Sequence, residues 1–373
     1  MRKAVYAAAV LLLLTGCWDQ VPLRKIHLVD VAGVDVDKKN GGVIVYQVVT
    51  ELNKAGQGEG EPLSETTELT GPSLMEAIGE GEYKDRGPFI GINSRIYLIS
   101  KAFASRDISK EMSILLHAPY ASINTPVAVY DGPMAELLKH PPKEFTNQLS
   151  DFINSLDPRG IMPTISMMHL ILSQKEPLED AALPLVQQSD SGIELKGALL
   201  FTQGKSSGKV ITKEQVRILR LLLGGNNGRQ RMSAKLSGST VRRPLAGHTD
   251  DFQYAFLINK NTSAIKVKAR PKGSPSIMIS VKMKITVLDL GRSGRVLTTD
   301  TIKSYERELN QHMEHLADGT VKSLQQANAD VLGIGKHLRA YHPDLWKSMN
   351  WREDYPRLPI KTKFNVQILN PFE

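Results

Sequence analysis

Glu308, His312 and His315 fall at helical spacing, so one face of a helix would carry a carboxylate and two imidazoles, the donor types of a zinc site. No His-Glu-x-x-His pattern accompanies them and no fourth ligand is marked, so a solvated polar helix face is expected and no metal site. Gly56-Gln57-Gly58-Glu59-Gly60 is glycine-rich but acidic, and it lacks the preceding strand and following helix that a phosphate cradle needs. Leu332-Gly333-Ile334-Gly335 follows a helical stretch, the wrong context for a dinucleotide fingerprint. A Gly-x-Ser-x-Gly elbow and a P-loop are both missing from the chain. The sequence therefore offers no visible carrier of catalysis and no cofactor site.

The chain has 373 residues and a single cysteine, Cys17, which forbids an internal disulfide and a cysteine-cluster metal site. Before it stand Arg2 and Lys3, an apolar run from Ala4 to Leu14, and Leu14-Thr15-Gly16-Cys17. A charged start, a short apolar stretch and a small-residue exit are the parts of an export signal. The tetrapeptide resembles the lipobox of bacterial lipoproteins, which implies removal of residues 1–16 and acylation of the Cys17 thiol. Two acyl chains hold a protein on a membrane where one is marginal, at about 0.8 kcal/mol per buried CH₂. The rest of the chain is then expected outside the cytoplasm, tethered to a membrane face.

Charge is distributed unevenly. Residues 18–192 hold 15 basic and 24 acidic side chains, whereas residues 193–373 hold 30 basic and 15 acidic. The excess concentrates in 196–284, with 18 basic against three acidic residues, and Arg242, Arg243, Lys266, Lys268, Arg270 and Lys272 form the candidate basic patch. Nucleic acid is a poor match, since aromatic residues are sparse there and an exported, anchored chain does not meet it. The anionic membrane surface, an acidic protein partner, or plain solvation remain as readings.

These residues need elements to position them. The expected class is mixed α+β, an α/β chain of several domains: a signal peptide at 1–16, an amino-terminal domain at 17–192, a basic middle unit at 193–250 and a carboxy-terminal domain at 251–373. Ile26–Val36 and Val43–Thr50 read as a hairpin, 56–65 as a loop, and Ser73 as the cap of a helix carrying Leu74, Met75 and Ile78. Ala102–His117 reads as one helix, 145–156 as another, and Pro177 and Pro184 as punctuation before residue 190. Ile193–Phe201 reads as a strand and Lys213–Leu223 as a helix stopped at Gly224. Ile277 to Val287 alternates with period two, 301–340 is a long helix with a kink or break expected at Asp318-Gly319, and 360–368 is a last strand. An antiparallel sheet with the long helix laid across one face satisfies both apolar stripes.

The segment from Asp330 to Trp346 has the character of a signature, with Gly333 and Gly335 permitting close packing, Pro343 turning the chain and Trp346 offering a large apolar area. It resembles the carboxy-terminal motif of the spore germination protein C family, Ger(x)C. Cys17-Trp18-Asp19, Val31-Ala32-Gly33-Val34-Asp35 and Lys196-Gly197-Ala198-Leu199-Leu200-Phe201 extend the likeness over nearly the whole chain. A departure lies at Ile92-Asn93-Ser94-Arg95-Ile96, where the family pattern has a Gly-His pair. The resemblance implies a non-enzymatic role, as an α/β, three-domain lipoprotein subunit of a nutrient germinant receptor on the outer face of the spore inner membrane. It also implies membrane-embedded A and B subunits as partners and a small-molecule germinant bound by the complex. A solute-binding lipoprotein that captures the nutrient itself is the competing reading, and it requires a deep interdomain cleft.

Overall fold

The computed structural model describes residues 27–51, 63–84, 89–90, 94–117, 121–139, 141, 145–173, 176, 178–190, 192–225, 230–236, 252–269, 274–289 and 299–369. Cys17, Arg242, Arg243, Arg270, Lys272 and the pair Ile92-Asn93 lie outside the described residues.

The chain opens with β1 (His27–Val36) and β2 (Val43–Glu51), the expected hairpin, and continues into β3 (Leu63–Gly71). The loop expected over 56–65 therefore ends earlier, because the β-branched, polar run Thr66-Thr67-Glu68-Leu69-Thr70 suits an edge strand with Leu69 as its inward anchor. Helix α1 (Leu74–Lys84) follows, with Ser73 as its cap: the Ser73 hydroxyl accepts from the Glu76 N–H at 3.3 Å and donates to the Glu76 carboxylate at 2.8 Å. Next come β4 (Phe89–Ile90), β5 (Ile96–Ser100), α2 (Lys101–Ala104) and α3 (Ile108–Met112), with a 3₁₀ turn over Ser113–Leu116. The single helix expected over 102–117 is thus broken, because Ser100 and Asp107 each accept from a backbone N–H and start separate turns.

Strand β6 (Val127–Tyr130), α4 (Met134–Leu138), α5 (Phe145–Ser155) and α6 (Met167–Leu172) lead to β7 (Ala181–Ser189). Pro184 disguises β7 in the sequence. Its missing donor is tolerated because the pairing of β6 with β7 involves only Leu185 and Val186, beyond the proline. Then come β8 (Gly192–Thr202), β9 (Lys205–Thr212), α7 (Lys213–Leu223) and β10 (Gln230–Leu236). Strands β11 (Phe252–Lys268) and β12 (Ser276–Asp289) precede α8 (Thr299–Gln326), α9 (Ile334–Tyr341), α10 (Pro343–Lys347), α11 (Trp351–Asp354) and β13 (Ile360–Leu369).

Nine strands form the first sheet, in the order β3-β2-β1-β5-β6-β7-β8-β9 with β4 beside β1. Its centre, β1-β5-β6-β7, is parallel, and antiparallel hairpins flank it on both sides. One face is covered by α1, α2, α3 and α6 through Leu74, Phe103, Ile108 and Leu170. The other is covered by α4, α5 and α7, and this second core runs without interruption into the second sheet through Ile258, Ile279 and Leu324. Residues 193–250 contribute to both layers: β8 and β9 complete the first sheet, β10 opens the second, and α7 lies between them.

The second sheet has the order β10-β11-β12-β13. A wholly antiparallel sheet was expected, but β13 runs parallel to β12, because α8 serves as a crossover and returns the chain to the same end. Helix α8 is also unbroken through Asp318-Gly319; the chain turns instead after Gln326, where Asn328 adopts a left-handed φ of 50°. Gly319 sits in open space on an exposed helix surface, where the cost of glycine is small enough for the flanking packing to override it.

Helix α8 does more than cover a face. Four acceptors at four-residue intervals, Glu306, Asn310, Glu314 and Asp318, receive the outward N–H groups of Ile368 (2.8 Å), Val366 (2.8 Å), Phe364 (3.0 Å) and Thr362 (3.3 Å) on the edge strand β13. Four helical residues advance ~6 Å and two strand residues ~6.6 Å, so the two periods stay in step over this length. An edge strand that would otherwise offer its donors to another chain is closed by a helix.

Candidate functional site

The signature residues converge on a buried joint between the two halves of the chain. Asp330 is 1% exposed, and its carboxylate accepts from the N–H groups of Ile334 at 2.9 Å and Gly335 at 2.6 Å, capping α9. Its own N–H donates to Asp180 at 2.7 Å. The Asp180 side chain is fully buried and is held in a fork by Arg352, at 2.7 and 2.8 Å. Arg352 also donates to the Asn328 carbonyl at 3.0 Å, while the Asn328 amide donates back to the Arg352 carbonyl at 2.9 Å. Tyr355, wholly buried, donates its hydroxyl to the Ala329 carbonyl at 3.2 Å.

Burial pushes the Asp330 carboxyl up to about 7, and Asp180 nearby adds to this, while the two N–H bonds and Arg352 oppose it. The Tyr355 phenol is raised well above its ordinary value by burial and by the same two carboxylates. Both shifts follow from a dry, fully packed environment.

Gly333 precedes α9 with φ of 71°, a conformation in which a side chain would be strained. Gly335 is required for proximity: a Cβ there would lie 2.7 Å from the Trp351 ring and 2.9 Å from Leu178. Trp346, Trp351 and Tyr355 form a ladder with ring centroids 5.6 and 5.2 Å apart. Pro343 occupies the first turn of α10, where its missing N–H costs nothing. The structure thus brings Asp330, Gly333 and Gly335 together, with Trp346 joined to them through Trp351, whereas Pro343 is exposed.

Several partners carry no mark in the sequence. Outside the buried hub, Arg339 forks onto Glu176 at 2.9 and 3.3 Å, and Lys336 pairs with Glu179. Glu176 is held below the ordinary carboxylate range chiefly by Arg339. The run Glu176-Pro177-Leu178-Glu179-Asp180 thus meets Lys336, Arg339 and Arg352 across the joint, so the acidic and basic halves of the chain are complementary where they touch. An acidic cluster beside a single apolar residue, Leu178, is the only sequence signal for it.

Of the basic patch, Lys266 and Lys268 are exposed on β11. His312 is half-buried and held below the ordinary imidazole range by burial, and His315 is exposed. Among the described residues no group of three or more His, Cys, Asp or Glu side chains is placed to hold a metal ion. At the departure from the family pattern, the Ser94 carbonyl accepts from Thr125 at 2.6 Å and Arg95 donates to Asn147 at 2.6 Å, so the segment is tied to neighbouring elements. A crevice bordered by Pro126, Ile153, Met162 and Pro184 has a volume of about 10 Å³, room for a water and no more. Among the described residues no helix is long and apolar enough to cross a membrane.

The fold and its joint define a two-sheet, mixed α+β protein whose distinguishing residues lock its own halves together. Residues 19–188 match the family model described as "Spore germination protein N-terminal domain", and residues 196–371 match "Spore germination B3/ GerAC like, C-terminal". The chain belongs to the spore germination protein C family, Ger(x)C. It is similar to "Spore germination protein KC" of Bacillus subtilis (strain 168), 19% identical over 397 residues that cover 99% of this chain and 96% of that one. Its fold is that of the "Crystal Structure of the GerBC protein", with a TM-score of 0.59 and 15% identity over 91% of this chain and 97% of that one. The two matched segments meet between residues 188 and 196, and the clasp of Asp180 and Arg352 ties one to the other.

Proposed function

We propose that this chain is the lipid-anchored C subunit of a nutrient germinant receptor, acting in spore germination by docking on membrane-embedded A and B subunits and on the membrane surface. Cys17 carries the lipid, the outer face of the spore inner membrane is its location, and the residues after 192 form the partner-facing and membrane-facing unit. The observation that carries this reading is the pairing of both halves with germination-protein family models, joined by signature residues that are consumed in internal packing. The use of Asp330 and Gly335 in internal packing supports a scaffold or adaptor. The likeness to spore germination proteins supports a subunit that works without catalysis and without a cofactor.

The test is Cys17→Ala in the full chain, with membrane fractionation and the fall in spore optical density on nutrient addition as readouts. Release of the protein into the soluble fraction and a slowed response are expected. A protein that stays membrane-bound, or spores that respond at the normal rate after release, would remove the anchor from the proposal.

A further inference from the structure

The four strands of the second sheet contain nine basic residues and one acidic residue, Asp289 at the end of β12. The sheet register sorts those of β11, β12 and β13, seven lysines, onto one side. Inward positions such as Ile277, Ile279, Val281, Phe364 and Val366 are buried under α7 and α8. Outward positions form five successive rows: Lys268 with Ser276; Lys266, Met278 and Lys361; Ala264, Ser280 and Lys363; Thr262, Lys282 and Asn365; Lys260, Lys284 and Gln367. All seven lysines are exposed, and no ion pair engages them among the described residues. At the last rows an open groove of about 430 Å³ includes one carboxylate, Glu306, already committed to the Ile368 N–H at 2.8 Å.

We propose that this lysine face is a docking surface for an anionic lipid bilayer, laid flat against the headgroups; it rests on, and makes specific, the membrane-surface part of the function proposed above. Two properties of the face select a bilayer over a protein partner. Protein interfaces concentrate aromatic residues and arginine at their centres and are depleted in lysine, whereas these five rows contain no aromatic residue and no arginine. Lysine, a hydrated point charge on a flexible stem, matches a fluid surface that offers no fixed geometry. The second property is extent. With rows ~6.7 Å apart and strands ~4.8 Å apart, the charges spread over roughly 27 by 10 Å, more than one small anion can engage. An extended anionic surface engages them together, each lysine near it contributing about 1 kcal/mol.

The test uses the full chain with Cys17→Ala, which has neither acyl chains nor any other cysteine. Co-sedimentation is measured with phosphatidylcholine vesicles and with vesicles containing 30% phosphatidylglycerol. Addition of the anionic lipid should raise binding at least ~10-fold at low salt, and 0.5 M salt should abolish the gain. Replacing Lys266, Lys282, Lys284 and Lys361 by Gln should remove that gain, while replacing four exposed lysines elsewhere, Lys110, Lys209, Lys322 and Lys347, should change it less than about twofold. Equal binding to both vesicles, or equal losses in the two variants, overturns the proposal, and tighter binding to soluble polyglutamate than to vesicles reassigns the face to an acidic protein.

A second readout leaves the charges intact. A polarity-sensitive dye on Ser280→Cys, in the middle of the face, should shift with anionic vesicles, and one on Ser348→Cys should not; shifts at both positions or at neither overturn the proposal. Failure here leaves the Cys17 fractionation result untouched, so the docking face and the anchor are judged separately.

Discussion

The clasp and the lysine face both draw on the cationic surplus of the carboxy-terminal half, and they use it in opposite ways. At the clasp, Lys336, Arg339 and Arg352 each meet a carboxylate of the segment 176–180, and the innermost carboxylate, Asp180, is removed from water. On the outer face of the second sheet, seven lysines stand in five rows with no such partner among the described residues. Arginine forks hold the first region in one geometry; lysine point charges leave the second free to meet whatever it faces. A basic segment in a sequence therefore has no single meaning. Whether a cation is structural or available depends on what the fold brings opposite to it.

If the contrast holds, the largest effect comes from breaking the innermost pair. Asp180→Ala leaves Arg352 without its carboxylate and the Asp330 N–H without its acceptor, and should cost about 3 kcal/mol in urea unfolding. A loss below about 0.5 kcal/mol, the range of ordinary surface changes, would show that the clasp is decorative. A comparable effect is expected from proton uptake at Asp330. Its folded-state carboxyl is raised to about 7, so between about pH 4 and pH 7 the native state binds more proton than the unfolded chain. The contribution of this proton should thus be fully present at and below the ordinary carboxylate value, decline by about 3 kcal/mol as pH rises to 7, and level off above it. Asp330→Asn should remove that slope. A slope unchanged in Asp330→Asn, measured by thermal unfolding from pH 4 to 8, would locate the titration elsewhere.

Periodicity made most elements legible: the first hairpin, the helix after Ser73 and the alternation of β12 stand where pattern places them, and the apolar stripe of α8 does so as far as Gln326, short of the expected end at residue 340. The signature from Asp330 to Trp346 was legible as a packing motif, and Asp330, Gly333 and Gly335 do meet. What escaped was relational. Nothing local in Ile360–Leu369 states that it runs parallel to β12, since that follows from the length of the crossover between them. Strand β7 was hidden because Pro184 argues against a central strand until the short reach of β6 is known. The partners of Asp330 lie 150 and 22 residues away, at Asp180 and Arg352, and separations of that size leave no trace in spacing. Nothing in the sequence singles out the row Glu306, Asn310, Glu314, Asp318, and only the edge strand beside it gives the row its use.

The smallest expected effect is the sharpest test of the contrast. If the lysine face is held for a partner outside the chain, its charges contribute little to the fold, and like charges in adjacent rows oppose it slightly. Lys266 and Lys361 flank Met278 in one row, while Lys260 stands opposite Lys284 in another. Replacing Lys266, Lys282, Lys284 and Lys361 by Gln should therefore change unfolding stability by no more than about 0.5 kcal/mol each and should favour the folded state at low salt. Added salt should narrow the difference between variant and parent, because it screens the repulsion in the parent alone. A variant that is destabilised by several kcal/mol would place these lysines in the same category as Arg352, as parts of the fold. A stable variant that has lost its response to anionic vesicles would separate the two regions completely, one holding the molecule together and the other facing outward from it.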